Sequence, residues 1–217
     1  MIPNDEEIER EICNVRWTTW HDWRDAFEHN GSIGTNPILA DARRFNSFCA
    51  KWGVGRTIRK GTRDKFRCFL SDSRDFEEAI GDDSGRKLAN MEENLRGDFA
   101  TGDGTRVMLS LLSKLAAFVK PERFVAWDQY ARRGLNMVLG RPINKPFDNY
   151  VEYLADFDRV WEGPHGKRIC EMTSQAQEQP LETEPRFQRR VLDLYLLAKG
   201  RSRKPAKSQP VGNVEVD

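Results

Sequence analysis

The stretch 113-SKLAAFVKPERFVAWDQYARRGL-135 decides how the chain is read. An apolar run of helical spacing carries one lysine, Lys114, and stops at Pro121. A short plug from Phe124 to Trp127 comes next, and Asp128 stands directly after it. Upstream residues extend the helical run to 105–119. On a wheel of about 100° per residue, Val107, Met108, Leu111, Leu112, Leu115, Phe118 and Val119 fill one broad arc. A helix this apolar is buried on most sides. Lys114 falls at the edge of the arc, beside Ser110, Ser113 and Ala117, whose small side chains leave room for something to approach. Two roles are open to it. A lysine withdrawn from water has a lowered pKa and serves as a base or nucleophile; one at a core edge also simply extends its ammonium to solvent. Asp128 is placed to cap the next helix, accepting from backbone N–H groups near Ala131. A carboxylate held there is also able to stabilise a developing cation or to activate water, and the two roles are compatible.

Working outward, helical spacing recurs along the chain while sustained two-residue alternation is missing. The pattern predicts helices at 5–12, 16–29, 37–52, 62–70, 73–80, 84–96, 105–119, 128–139, 147–161 and 185–199, an all-α chain. Asn36–Pro37 is a start signal, a polar cap with proline at the first helical position. Gly97, Gly102, Gly104, Pro121, Gly140, Pro142, Gly163 and Pro164 punctuate the later helices. Residues 171–184 read as a polar surface loop, and 201–217 as a flexible basic tail. The expected organisation is one compact helical domain over 1–200, with lobes 1–100 and 101–170 and the closing helix 185–199 packing back on them.

The totals bound the class. In 217 residues, 38% are hydrophobic and 32% charged, which reads as globular and soluble. No apolar run approaches the ~20 residues of a membrane span, and the first residues are acidic rather than signal-like, so a cytoplasmic protein is expected. Four cysteines without a CxxC pair and three histidines argue against a metal site. No cofactor is expected either. The net charge of +1 is uninformative, but its distribution is not. Residues 51–67 concentrate Arg56, Arg59, Lys60 and Arg63, while acid gathers at 5–11 and 72–83. One anion-binding face or an ordinary solvated surface would each look like this. The turn 97-GDFATGDGTRV-107 adds a Gly-x-Gly element opening a helix, whose backbone N–H groups suit a phosphate.

Helix, Gly-x-Gly turn, helix and a short return ending in aspartate together resemble the helix-hairpin-helix DNA glycosylase superfamily. The likeness is to its short bacterial branch related to 8-oxoguanine DNA glycosylase. It rests on Ser113–Lys114, on Pro121-Glu122-Arg123-Phe124, and on Asp128. The stretches 52-WGVGRTIRKGTR-63 and 189-RRVLDLYLLAKG-200 also look like that branch, so it touches most of residues 36–200. The resemblance implies a two-lobe helical fold and a monomer acting on double-stranded DNA with an extruded base, in a bacterial, nucleoid-associated setting. The base would be an oxidised purine or a hypermodified phage base met in antiviral defence.

It further implies that Asp128 and Lys114 are catalytic. Gly102, Gly104, Thr105 and Arg106, with Arg56, Arg59, Lys60 and Arg63, would grip phosphates, a salt-dependent contact without sequence choice. Trp127, Gln129, Trp52 and Asp193 would line the base pocket, with Tyr195 near Asp193 on the closing helix. Asp193 is equally able to pair with a neighbouring arginine. One departure stands out. Members that also cleave the strand carry lysine in a Gly-x-Gly-x-Lys pattern, where this chain has Gly102-Asp103-Gly104-Thr105-Arg106. Arginine keeps its proton and is a poor Schiff-base former, so lyase chemistry is not expected from the hairpin. Two non-enzymatic alternatives stay open: a helical DNA-binding module, and an interaction protein that keeps the glycosylase fold without activity.

Overall fold

The computed structural model describes residues 4–16, 36–39, 41–55, 58–59, 61–82, 84–99, 108–176 and 180–201. The chain is all-α, with no strand among the described residues. Its helices are α1 (Asp5–Val15), α2 (Asn36–Leu39), α3 (Ala42–Lys51), α4 (Arg63–Asp72), α5 (Arg74–Gly81), α6 (Arg86–Phe99), α7 (Leu109–Val119), α8 (Gln129–Val138), α9 (Tyr150–Glu162), α10 (Pro164–Gln175) and α11 (Pro185–Arg201). A 3-10 turn spans Pro180–Thr183. No helix among the described residues is long and apolar enough to cross a membrane.

Polar caps account for where several helices begin. Asn4, Asp41 and Asn149 each accept from a backbone N–H three residues on, at 2.8, 2.8 and 2.9 Å. Asp41 corrects the expected single helix over 37–52. Its backbone is extended (φ −144°, ψ 161°), so it closes off the short α2 and starts α3 afresh. A second correction concerns 171–184. Helix α10 runs through Gln175, because Gly163–Pro164, which ends α9 as expected, also starts a new helix with proline at the first helical position. The predicted helix 16–29 lies outside the described residues beyond Arg16, as does the tail from Ser202.

The buried apolar side chains form one cluster running from Ile8 to Leu196, and α7 is at its heart. Every residue of α7 except Ser110 is buried, which goes beyond the burial on most sides that its composition predicts. Phe118 of α7 meets Phe48 of α3 edge-on at 5.9 Å. The return 120–128 is held by two helices. Tyr150 and Tyr153 of α9 donate their hydroxyls to Val125 O (2.7 Å) and Ala126 O (3.3 Å), and burial pushes both phenols up, so they stay donors. Arg189 of α11 donates to Pro121 O at 3.1 Å. These bonds satisfy carbonyls that a plug without secondary structure would otherwise bury unpaired.

Helices α8 and α11 cross with almost nothing between them. A Cβ on Gly134 would lie 1.9 Å from Leu196 O, and one on Gly200 1.9 Å from Tyr130 O. Backbone meets backbone at both points, which only glycine permits. The start of α8, bearing Asp128, is thereby fixed against α11, bearing Asp193.

The two ends of the described chain are tied by charge. Arg16 donates Nε and Nη2 to the carboxylate of Glu182 at 2.7 and 2.7 Å, and Glu182 is only 1% exposed. Removing one partner of such a pair leaves the charge of the other less compensated in the interior. Arg16→Met is expected to destabilise the protein by about 3 kcal/mol, the low end for buried pairs, because the Arg16 side chain retains 16% exposure. Urea unfolding monitored by circular dichroism measures this, and an unchanged midpoint would contradict it.

Candidate functional site

The Ser-Lys pair on α7 and the aspartate after the plug meet in space, and each residue of the pair has its own task. Ser113 Oγ accepts from Trp127 N at 2.9 Å, so the hydroxyl pins the return where it passes over α7. Lys114, one residue on, then faces Asp128, one residue on from Trp127. The Lys114 ammonium lies 3.6 Å from Asp128 Oδ2 and donates to Trp52 O at 3.0 Å. The other carboxylate oxygen, Oδ1, accepts from Tyr130 N at 2.8 Å and caps α8. The cap bond thus falls at Tyr130, next to Ala131. Capping and ion pairing use different oxygens, so Asp128 serves both.

Lys114 is 9% exposed overall, and the Asp128 side chain 20%. Burial lowers the pKa of Lys114 from the ordinary lysine value; Asp128 and Asp193 partly offset this, and Arg190 adds to the lowering. Asp193 lies in the interior of α11, 3% exposed, and pairs with Arg190 one turn before it. Burial pushes its carboxyl up, and the charge of Asp128 adds to that. Arg190 in turn lies over the Trp52 ring, 4.3 Å from its centroid. Two acids, a lysine and an arginine therefore form one cluster, roofed by Trp52. Arg190 is the member absent from the sequence-based set. Its signal is the i, i+3 spacing to Asp193 on a helix, the open alternative for that aspartate.

The remaining candidates divide. Trp52 stacks on Phe48 (centroids 5.5 Å apart) in addition to carrying Arg190. Trp127 stands edge-on to Tyr150 and Tyr153, with Arg132 over its ring at 4.3 Å. Both rings are half-buried beside the cluster. Gln129 lines a separate recess between α8 and residues 143–146. In the basic segment, Arg63 donates to Asn46 Oδ1 (3.0 Å) and Gly55 O (2.9 Å), so its guanidinium holds the turn after α3. Arg59 joins that turn to the end of α6 through its backbone N–H, which donates to Phe99 O at 2.7 Å. Arg56, Lys60, Gly102, Gly104, Thr105 and Arg106 lie outside the described residues. Compared with protein-family models, curated proteins and solved structures, the chain matches none.

Proposed function

We propose that the protein is a DNA glycosylase of helix-hairpin-helix type that removes a damaged or modified base from duplex DNA. One observation carries this reading: a buried amine with a lowered pKa stands 3.6 Å from a carboxylate that keeps access to the outside. A nucleotide swung out of the duplex would present its C1′ to Asp128. The C1′–N bond breaks and its electron pair leaves with the base. Asp128 stabilises the cationic sugar, and water adds at C1′ while giving its proton to the carboxylate. Lys114 is the competing nucleophile. Its amine adds to C1′ only after losing its proton and releasing Trp52 O, the bond that now holds it at 3.0 Å. That anchor favours water as the main route, in keeping with arginine rather than lysine at position 106.

The test is an abasic-site assay on duplexes carrying oxidised purines or hypermodified pyrimidines. Base release from at least one is expected, and an enzyme inert on every duplex would remove the reading. Borohydride separates the two nucleophiles. Because its pKa is lowered, Lys114 holds more free amine at a given pH than ordinary lysine does. A trapped adduct is therefore expected to be minor at neutral pH and to rise along a limb lying below 10.5. Lys114→Met should abolish it; an adduct that persists in that variant would place the amine elsewhere.

A second reading, a non-catalytic DNA-binding module, is favoured by the structural sufficiency of the same contacts. Asp128 caps α8, and Lys114 satisfies Trp52 O. Under it, Asp128→Asn and Lys114→Met bind DNA like the parent and no abasic product forms.

A further inference from the structure

Past Asp128, α8 holds a second arrangement of charge. Gln129, Arg132, Arg133 and Asn136 of that helix, with Asn144 and Lys145 of the next loop, line an open recess of about 240 Å³. Among the described residues, three cations and no carboxylate line it. Elsewhere on this chain arginines meet acids at contact distance, as Arg16, Arg141, Arg168 and Arg189 do. Arg132 does not. Its guanidinium is partly buried against Trp127, 4.3 Å from the ring centroid, and its Nε has no acceptor among the described residues. Asp128 acts on Arg132 only from beyond ion-pair distance, while Arg133 beside it adds like charge.

The recess is built rather than incidental. Asn136, 1% exposed, donates Nδ2 to Lys145 O at 2.8 Å and to Ile143 O at 3.4 Å. Lys145 N closes the loop on Pro142 O at 2.9 Å. These bonds hold the backbone of Lys145 opposite Arg132 and Arg133.

An anion with several oxygens fits this lining. Guanidinium groups take phosphate oxygens in pairs, and lysine adds a point charge. The volume is below the ~300–1,000 Å³ that encloses a drug-sized molecule, so the recess suits one charged group on a larger molecule. Arg132 stands four residues, about 6 Å, along α8 from Asp128. A strand whose sugar faces Asp128 carries its neighbouring phosphate within reach of that point.

We propose that the recess between α8 and residues 143–146 is a phosphate-binding site, and that it takes a DNA backbone phosphate beside the nucleotide presented to Asp128. The identity of the carrier rests on the glycosylase reading; the phosphate chemistry does not. The variant that tests it is Arg133→Gln/Lys145→Gln, which leaves Arg132 stacked on Trp127. A triple variant adding Arg132→Gln extends the series if the double variant is folded and its thermal midpoint is unchanged.

Fluorescence anisotropy of a labelled 15-mer duplex, from 50 to 200 mM salt, is expected to show affinity down about tenfold in the double variant. The slope of log K against log salt should be shallower by about one, the loss of a single phosphate contact. Millimolar inorganic phosphate should raise the thermal midpoint of the parent and not that of the variant. If the parent ignores duplex DNA but keeps this phosphate response, the recess stands as a site for free phosphate and the glycosylase reading falls. Equal duplex binding and equal phosphate response in parent and variant would overturn the proposal. So would displacement of the duplex by poly-glutamate as effective as by an unlabelled duplex of equal charge.

Discussion

Asp128→Asn is expected to leave the protein folded and to lower base release by about 10²–10⁴-fold, the range for loss of a positioned acid–base group. The prediction divides because the two oxygens of Asp128 divide. Oδ1 accepts from Tyr130 N, and an asparagine oxygen makes the same cap with equal preference. The start of α8 should therefore survive and the chain should fold, with a thermal midpoint lowered by several degrees because Lys114, 9% exposed, loses its carboxylate partner. Oδ2 faces the Lys114 ammonium at 3.6 Å, and that is the interaction an amide does not replace. Nor does an amide stabilise a cationic sugar or accept a proton from water. The variant also shifts Lys114, since Asp128 is the largest influence holding its pKa up. More free amine is then present at neutral pH. Any residual borohydride adduct per turnover should accordingly increase in Asp128→Asn while total base release collapses. Undiminished release would mean that Asp128 only caps a helix.

The encounter between Lys114 and Asp128 is legible in the sequence because both ends of it are local. Apolar spacing fixes α7 as a buried helix, so its one lysine has to emerge at an edge. Pro121 ends the helix, and a four-residue plug leaves the chain little freedom before a residue able to cap. The spacing does not contain the reason the two meet at all, which is the bond from Trp127 N to Ser113 Oγ. The all-α class is legible for the same reason, since helical periodicity is a property of short windows.

The departures from the sequence pattern share a physical cause. Proline and glycine look like stops, yet at Gly163–Pro164 the pair begins a helix; proline ends one or starts one according to the residues on its C-terminal side. Asp41 is concealed as a cap inside a long periodic run, where a single extended residue suffices to divide it. The recess is invisible on other grounds. Arg132, Arg133 and Lys145 are ordinary surface cations until α8 and the 143–146 loop bring them to one hollow. Charge that converges through tertiary structure leaves no local pattern.

The same limit hides the most demanding contact in the molecule, and it yields the largest expected effect on folding. Gly134→Ala adds one methyl group at a point 1.9 Å from Leu196 O, 2.7 Å from Leu196 C and 3.0 Å from Leu196 Cα. These are backbone atoms of a helix, so no rotamer change makes room. Helices α8 and α11 have to move apart, and Gly200 against Tyr130 O, one turn along the same seam, resists that movement. The cost should exceed the ~1–3 kcal/mol of ordinary core overpacking and approach the total stability of a typical domain, about 5–15 kcal/mol. A chain that fails to accumulate in folded form, or a urea midpoint lowered by more than half, is the expected result. Gly81→Ala is the control, because a Cβ there meets nothing within 4 Å. It should be neutral or gain up to about 1 kcal/mol through the unfolded chain. A parent-like urea midpoint for Gly134→Ala would mean that α8 and α11 do not cross backbone to backbone. Asp128 at the head of one and Asp193 within the other would then lose the seam that sets them around Lys114.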